Sequence, residues 1–193
     1  GAEAFRVRLF NVTGNGSLRQ PSYGTIVIID DELQALPGPK GVGADGPVYA
    51  VSITDQDLVY LGGEFQTYNG VPASRLLRLL PDGSRDTRFV VKEEINNTIF
   101  DLEVSDEGKV WIGGLFGGLG DSGHSYLAAL KEDGSIDSSF DFLGRIKGPV
   151  FEIVESKGKL LAGGEFGIRR LSEQGVVNDG FHSPEFNGSV YAI

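Results

Sequence analysis

The 193-residue sequence has no cysteine, which excludes a disulfide framework, a thiol nucleophile and any Cys-ligated metal site. Histidine is scarce: only His124 and His182 are present, and they form no H-E-x-x-H or paired-His metal spacing and no Ser-His-Asp order. Both read as surface residues of loops. No run of Lys or Arg appears, and 17 basic against 27 acidic side chains give a net charge of −10. Nucleic acid is therefore not an expected partner. No apolar run reaches 18 residues, so no membrane-spanning helix is expected. The stretch Gly1 to Phe10 has neither a basic leader nor an apolar h-region. An export signal, if used, is expected outside these residues.

Glycine, by contrast, is abundant. Its 29 occurrences are about twice the usual share and follow no three-residue period, which excludes collagen and points to many turns. With 40% hydrophobic residues, the composition suits a folded all-β protein.

Internal repetition sets the architecture. "GPVYAVSITDQDLVYLGGEF" (Gly46 to Phe65), "NTIFDLEVSDEGKVWIGGLF" (Asn97 to Phe116) and "GPVFEIVESKGKLLAGGEF" (Gly148 to Phe166) are copies of one phrase. Their Gly-Gly pairs are Gly62-Gly63, Gly113-Gly114 and Gly163-Gly164, each followed by an aromatic at Phe65, Phe116 or Phe166. Each copy continues through "RLLRLLPDGSRDTRF", "YLAALKEDGSIDSSF" or "GIRRLSEQGVVNDGF" to a closing Phe89, Phe140 or Phe181. The third copy lacks the segment between the tetrad and this second phrase, which marks that segment as a variable loop. "GSVYAI" (Gly188 to Ile193) opens a fourth copy.

Apolar runs such as Val48 to Ile53, Leu58 to Leu61 and Leu76 to Leu80 are short, β-branched or aromatic, and bounded by Gly and Asp, as strands are. Asp82-Gly83, Asp133-Gly134 and Gln174-Gly175 supply tight turns. Each copy is thus an antiparallel meander of three or four strands. A meander of about 50 residues cannot bury both faces alone, so copies must stack, and a propeller with kelch-like repeat length fits best. The fold class expected is all-β: a partial β-propeller-like array of three blades and the start of a fourth, over residues 46–89, 97–140, 148–181 and 188–193. Phe89, Phe140 and Phe181 are expected as core anchors between blades.

These phrases resemble the Delta-60 repeat, a bacterial propeller-type repeat similar to kelch blades, through Gly46 to Ile193. That resemblance implies architecture and a secreted or surface-attached setting; no catalytic residue set is part of the pattern. The tetrad Gly62-Gly63-Glu64-Phe65 also differs by one residue from a nucleotide-cyclase loop. Its threefold recurrence, with Leu115 replacing the acid in the second copy, reads as architecture.

Residues 1–32 do not join the repeat. Phe5 to Val12 and Thr25 to Ile29 read as two strands around a Gly/Asn/Ser/Pro-rich connection. The ending "TIVIIDDE" (Thr25 to Glu32) resembles the close of a Calx-beta domain, an immunoglobulin-like sandwich of exchangers and adhesion proteins, of which only this C-terminal hairpin would be present. The resemblance implies Asp30, Asp31 and Glu32 as candidate Ca²⁺ ligands, and three adjacent carboxylates can supply several of the hard oxygens calcium takes. Residues 33–45 read as a linker stiffened by Pro37 and Pro39.

The function expected from these features is a non-enzymatic structural or binding module of a large extracellular bacterial protein. Its expected partners are a surface ligand, protein or glycan, and neighbouring domains of the same chain, with Ca²⁺ as the one cofactor considered. The competing expectation is a carbohydrate-active propeller enzyme with two loop carboxylates about 5 to 9.5 Å apart. Asp121 and His124 are the most distinctive loop pair, and the segment Gln66 to Ser74 is the expected place for function.

Overall fold

A computed structural model describes residues 43–119, 123–142, 144–181 and 186–193. The N-terminal hairpin, the triad Asp30, Asp31 and Glu32, most of the 33–45 linker, Asp121 and His182 lie outside the described residues.

In the first copy the chain forms β1 (Val48–Ile53), β2 (Val59–Gly63), β3 (Thr67–Tyr68), β4 (Val71–Pro72) and β5 (Leu76–Leu79). The second copy gives β6 (Ile99–Val104), β7 (Val110–Gly114) and β8 (Leu127–Leu130), and the third gives β9 (Val150–Ser156), β10 (Lys159–Gly164) and β11 (Gly167–Ser172). Each copy is a three-stranded antiparallel meander, ordered β1-β2-β5, β6-β7-β8 and β9-β10-β11. No helix occurs among the described residues.

Turn chemistry fixes the strand ends. Gly83, Gly134 and Gly175 take φ of 80°, 87° and 87°, the left-handed region a side chain resists. Beyond each turn the chain returns through a single bridge, Leu79 to Arg85, Leu130 to Ile136 or Leu171 to Val177. The expected fourth strand is therefore reduced to one bridge. In the third copy β10 passes to β11 through Glu165 and Phe166 alone, with Gly164 paired to Gly167. The first copy instead spends its extra residues on the β3–β4 hairpin.

Successive sheets pack face to face. Between the first and second lie Ala50, Tyr60, Leu76, Ile99, Leu102, Ile112 and Phe116. Between the second and third lie Trp111, Leu127, Phe140, Val150, Ile153 and Leu160. Phe89 and Phe140 are buried in these layers, as core anchors should be. Phe181 is only half-buried, because no described sheet follows to cover it. Phe166 also differs from Phe65 and Phe116: it is half-buried rather than enclosed, since the shortened connection turns its ring back over Gly164.

Candidate functional site: an aromatic row at the inner-strand bulges

The two glycines of each tetrad do different jobs. A Cβ on Gly62 would lie 2.8 Å from Ile99 Cγ2, and one on Gly113 would lie 2.6 Å from Val150 Cγ1. The first glycine is therefore the notch that seats the next sheet. A Cβ on Gly63 or Gly114 would lie 2.1 Å from the carbonyl oxygen of Pro47 or Thr98, and one on Gly164 2.2 Å from that of Pro149. The second glycine lets the first strand of its own sheet cross at contact distance.

At that crossing each first strand carries a bulge: pairing skips between Val48 and Ala50, between Ile99 and Asp101, and opposite Gly163 and Gly164. The residue left over is Tyr49, Phe100 or Phe151. A bulge re-aims the side chain it frees, and here the freed rings line up across sheets. Ring centroids are 6.0 Å apart for Tyr49 and Phe100, 5.3 Å for Phe100 and Phe151, and 4.7 Å for Phe151 and Tyr191. The end rings are open, Tyr49 at 51% and Tyr191 at 69% exposure, while the middle two are half-buried. Tyr49 donates from its hydroxyl to Glu64 Oε2 at 3.2 Å, and partial desolvation together with Glu64 pushes its phenol up. Glu64, Leu115 and Glu165, the third members of the tetrads, are all exposed.

Carboxylates on the same first strands form a second feature. Asp101 accepts a 2.6 Å hydrogen bond from the Ile153 amide, tying β6 to β9. Burial raises its pKa against that bond. Burial, with Asp101 nearby, pushes Glu103 up to about 7 and raises Glu152. Glu103 is thus about half protonated at neutral pH. Among the described residues the acids with raised pKa sit on strands. Among the described residues no group of three or more His, Asp or Glu side chains is placed to hold a metal ion, and no helix is long and apolar enough to cross a membrane.

A third arrangement serves architecture. Asp86 is buried under Arg78, which it binds at 2.9 Å; Arg78 also donates to the Glu132 carbonyl of the next sheet and covers the Phe89 ring. Hydrogen bonds from Arg88 and the charge of Arg78 hold Asp86 well below the usual carboxylate range. In the second copy position 129 is Ala, and Lys109 takes over: it meets Asp137 at 2.8 Å, donates to the Glu173 carbonyl and lies 5.8 Å from the Phe140 centroid. Burial opposes ionisation of Asp137, yet Lys109 and Ser139 bring it down to about 2. In the third copy the neutral Asn178 stands in the place of the acid, and Arg170 covers Phe181.

The family model described as Domain of unknown function (DUF5122) beta-propeller matches residues 59–89 and 108–140. Each matched segment runs from the second strand, through the glycine pair and turn, to the closing phenylalanine. The described repeats are of β-propeller type. No curated protein matches it.

Of the residues singled out in the sequence, the six tetrad glycines and Phe65, Phe116, Phe89 and Phe140 are thus packing elements of these repeats. His124 is half-buried rather than a surface residue, and its Nε2 lies 2.9 Å from the Phe140 carbonyl oxygen. The aromatic row, at the position after the first Val or Ile of each copy, is not legible in any one copy, because nothing local marks the bulge that frees a strand aromatic. Its signal is nevertheless present: that position is Tyr49, Phe100, Phe151 and Tyr191 in the four copies.

Proposed function

We propose that this chain is a non-enzymatic structural and binding module of a large secreted or cell-surface protein, and that a glycan binds along the aromatic row. The observation that carries this reading is the row itself: in every sheet a bulge is spent on placing one aromatic in register with the next, and the end rings remain exposed. The C–H faces of a sugar pack on such rings, and carboxylates such as Glu64 and Glu165 accept from its hydroxyls. The resemblance to Delta-60 repeats and to a Calx-beta ending supports a surface setting. On that reading Asp30, Asp31 and Glu32 take up Ca²⁺ in the neighbouring sandwich, and calorimetric titration of calcium into wild type and Asp31→Asn tests it.

The test of glycan binding is an array of surface polysaccharides probed with wild type, Tyr49→Ala and Tyr191→Ala. Retention by a glycan that both substitutions weaken supports the proposal. A chain that retains no glycan, or whose glycan retention ignores both substitutions, contradicts it.

A second reading, a carbohydrate-active enzyme, is favoured by Glu103, whose proton at neutral pH suits a general acid. Polysaccharide turnover by wild type that disappears in Glu103→Gln would replace the binding reading.

A further inference from the structure

We propose that the cleft between β11 and the connection that precedes the third sheet is a binding site for an anionic group, a carboxylate or a sulfate, carried by a small ligand. The cleft has a volume of about 480 Å³ and is lined by Gly144, Arg145, Lys147, Arg169, Val177 and Asp179, a size that suits a small molecule. It lies at the outer strand of a sheet ordered β11-β10-β9, whereas the aromatic row runs along the inner strand β9. The site therefore does not rest on glycan binding at that row.

A shortened connection opens it. In the first copy Tyr68 bridges to Ala44 and shares a buried cluster with Leu77. In the second, Leu119 bridges to Ile95 and shares a buried cluster with Ala128. The residue equivalent to Leu77 and Ala128 in the third copy is Arg169: the three pair with Leu61, Ile112 and Ala162, each just before its glycine pair. Ile146 in turn stands where Ala44 and Ile95 stand in the earlier copies. Only Glu165 and Phe166 separate β10 from β11, so the third copy has no residue in the place of Tyr68 or Leu119. No bridge reaches Ile146 among the described residues, and the space those side chains fill in the other copies becomes the cleft.

The residues around the opening change charge as well. Glu93, Glu94 and Asn96, in the connection before the second sheet, become Gly144, Arg145 and Lys147 before the third, and Ala128 becomes Arg169. Three cations thus meet one carboxylate in a chain whose net charge is −10. That carboxylate, Asp179, pairs with Arg145 at 2.8 Å in an exposed contact. Lys147 and Arg169 have no ion-pair partner among the described residues. Arg169 is half-buried and seated: Nη1 donates to the Ile168 carbonyl at 3.1 Å, and the guanidinium lies 5.9 Å from the Phe166 centroid. Its remaining N–H groups form a fork that matches two oxygens of a carboxylate or a sulfate. A cleft of net positive charge gathers such anions, which the acidic remainder of the surface repels.

NMR titration of the isotope-labelled chain, read at the Gly144 and Lys147 amides, tests this. The probes are glucuronate for the carboxylate, sulfated glucose for the sulfate and neutral glucose as the control. Saturable shifts are expected with at least one of the two anions and none with glucose; the tighter anion identifies the group that the cleft takes. Arg169→Ala and Lys147→Asn install the residues that the second copy carries at these places. Each is expected to weaken binding about tenfold, the loss of one charge-assisted hydrogen bond, while unchanged shifts outside the cleft verify folding. Absence of saturable shifts with both anions overturns the proposal. So does glucose binding as tightly as the anions, or an affinity that ignores both substitutions.

Discussion

Alanine at Gly114 and alanine at Gly113 should differ sharply although the residues are neighbours in one strand. The Cβ added at Gly114 would lie 2.1 Å from the Thr98 carbonyl oxygen, where carbon and oxygen normally stay about 3.3 Å apart or more. The obstacle is backbone, so β6 must move by over an ångström and release the Leu115 amide from that carbonyl, now at 2.9 Å. Overpacking costs about 1–3 kcal/mol and a buried unpaired backbone group about 1–3 kcal/mol. Restricting the unfolded chain returns only about 0.4–1 kcal/mol. Gly114→Ala is thus expected to lose about 2–5 kcal/mol. At Gly113 the obstacle is the Val150 side chain at 2.6 Å, which can yield by a rotamer or sheet shift, so overpacking acts alone at about 1–2 kcal/mol net. Urea unfolding followed by Trp111, the single tryptophan and fully buried beside both sites, reads the difference. With a slope of about 2 kcal/mol per molar, Gly114→Ala should lower the midpoint by about 1–2.5 M. Equal losses for the two variants, or a Gly114→Ala loss below about 1 kcal/mol, would refute the division of labour between the glycines.

Three further outcomes follow from the charges and rings. Asp137 drops from an ordinary 3.8 to about 2 in the fold, so its stabilisation is present above pH 3.8 and lost as pH falls through 2. It is worth about 2 kcal/mol, and Asp137→Asn should be less stable than wild type at pH 7 with the gap closing near pH 2 in denaturant melts. Glu103 moves the other way, from 4.5 to about 7: the folded state binds its proton more tightly, so stability should fall as pH rises from 4.5 through 7 by about 3 kcal/mol. Glu103→Gln should flatten that slope, and an unchanged slope would show that the carboxyl is solvated. Phe140→Ala should cost about 3–5 kcal/mol, whereas the half-exposed Phe181 should cost visibly less on the same substitution, as thermal unfolding of the two variants would register.

Much of the fold can be read from the chain because repetition multiplies weak local signals. A Gly-Gly pair means little once; three pairs at spacings of 51 and 50 identify a recurring backbone need, and the crossings at Pro47, Thr98 and Pro149 are that need. Strand limits were legible in part: Val48–Ile53 has the span its sequence marks, whereas the run Leu58 to Leu61 becomes Val59–Gly63, because pairing carries on through the glycine pair. The candidate site was not legible. Tyr49, Phe100 and Phe151 are ordinary strand aromatics until a bulge turns each away from its sheet, and stacking then brings them and Tyr191 within about 6 Å of a neighbour. The clamp on the closing phenylalanines was hidden for another reason. Its cation is Arg78 on the third strand of one sheet and Lys109 at the start of the second strand of the next, so no aligned column displays it.

By itself, then, the sequence determined the repeat, its strands, its turns and the all-β class, because these depend on period, β-branching and left-handed backbone within a few residues. Tertiary structure alone decided what each repeated residue does. Whether a glycine is a notch or a crossing, whether a phenylalanine is enclosed or open, and which aromatics share a row depend on what the neighbouring sheet places against them. That neighbour lies about 50 residues away in sequence and is set by packing rather than by local pattern.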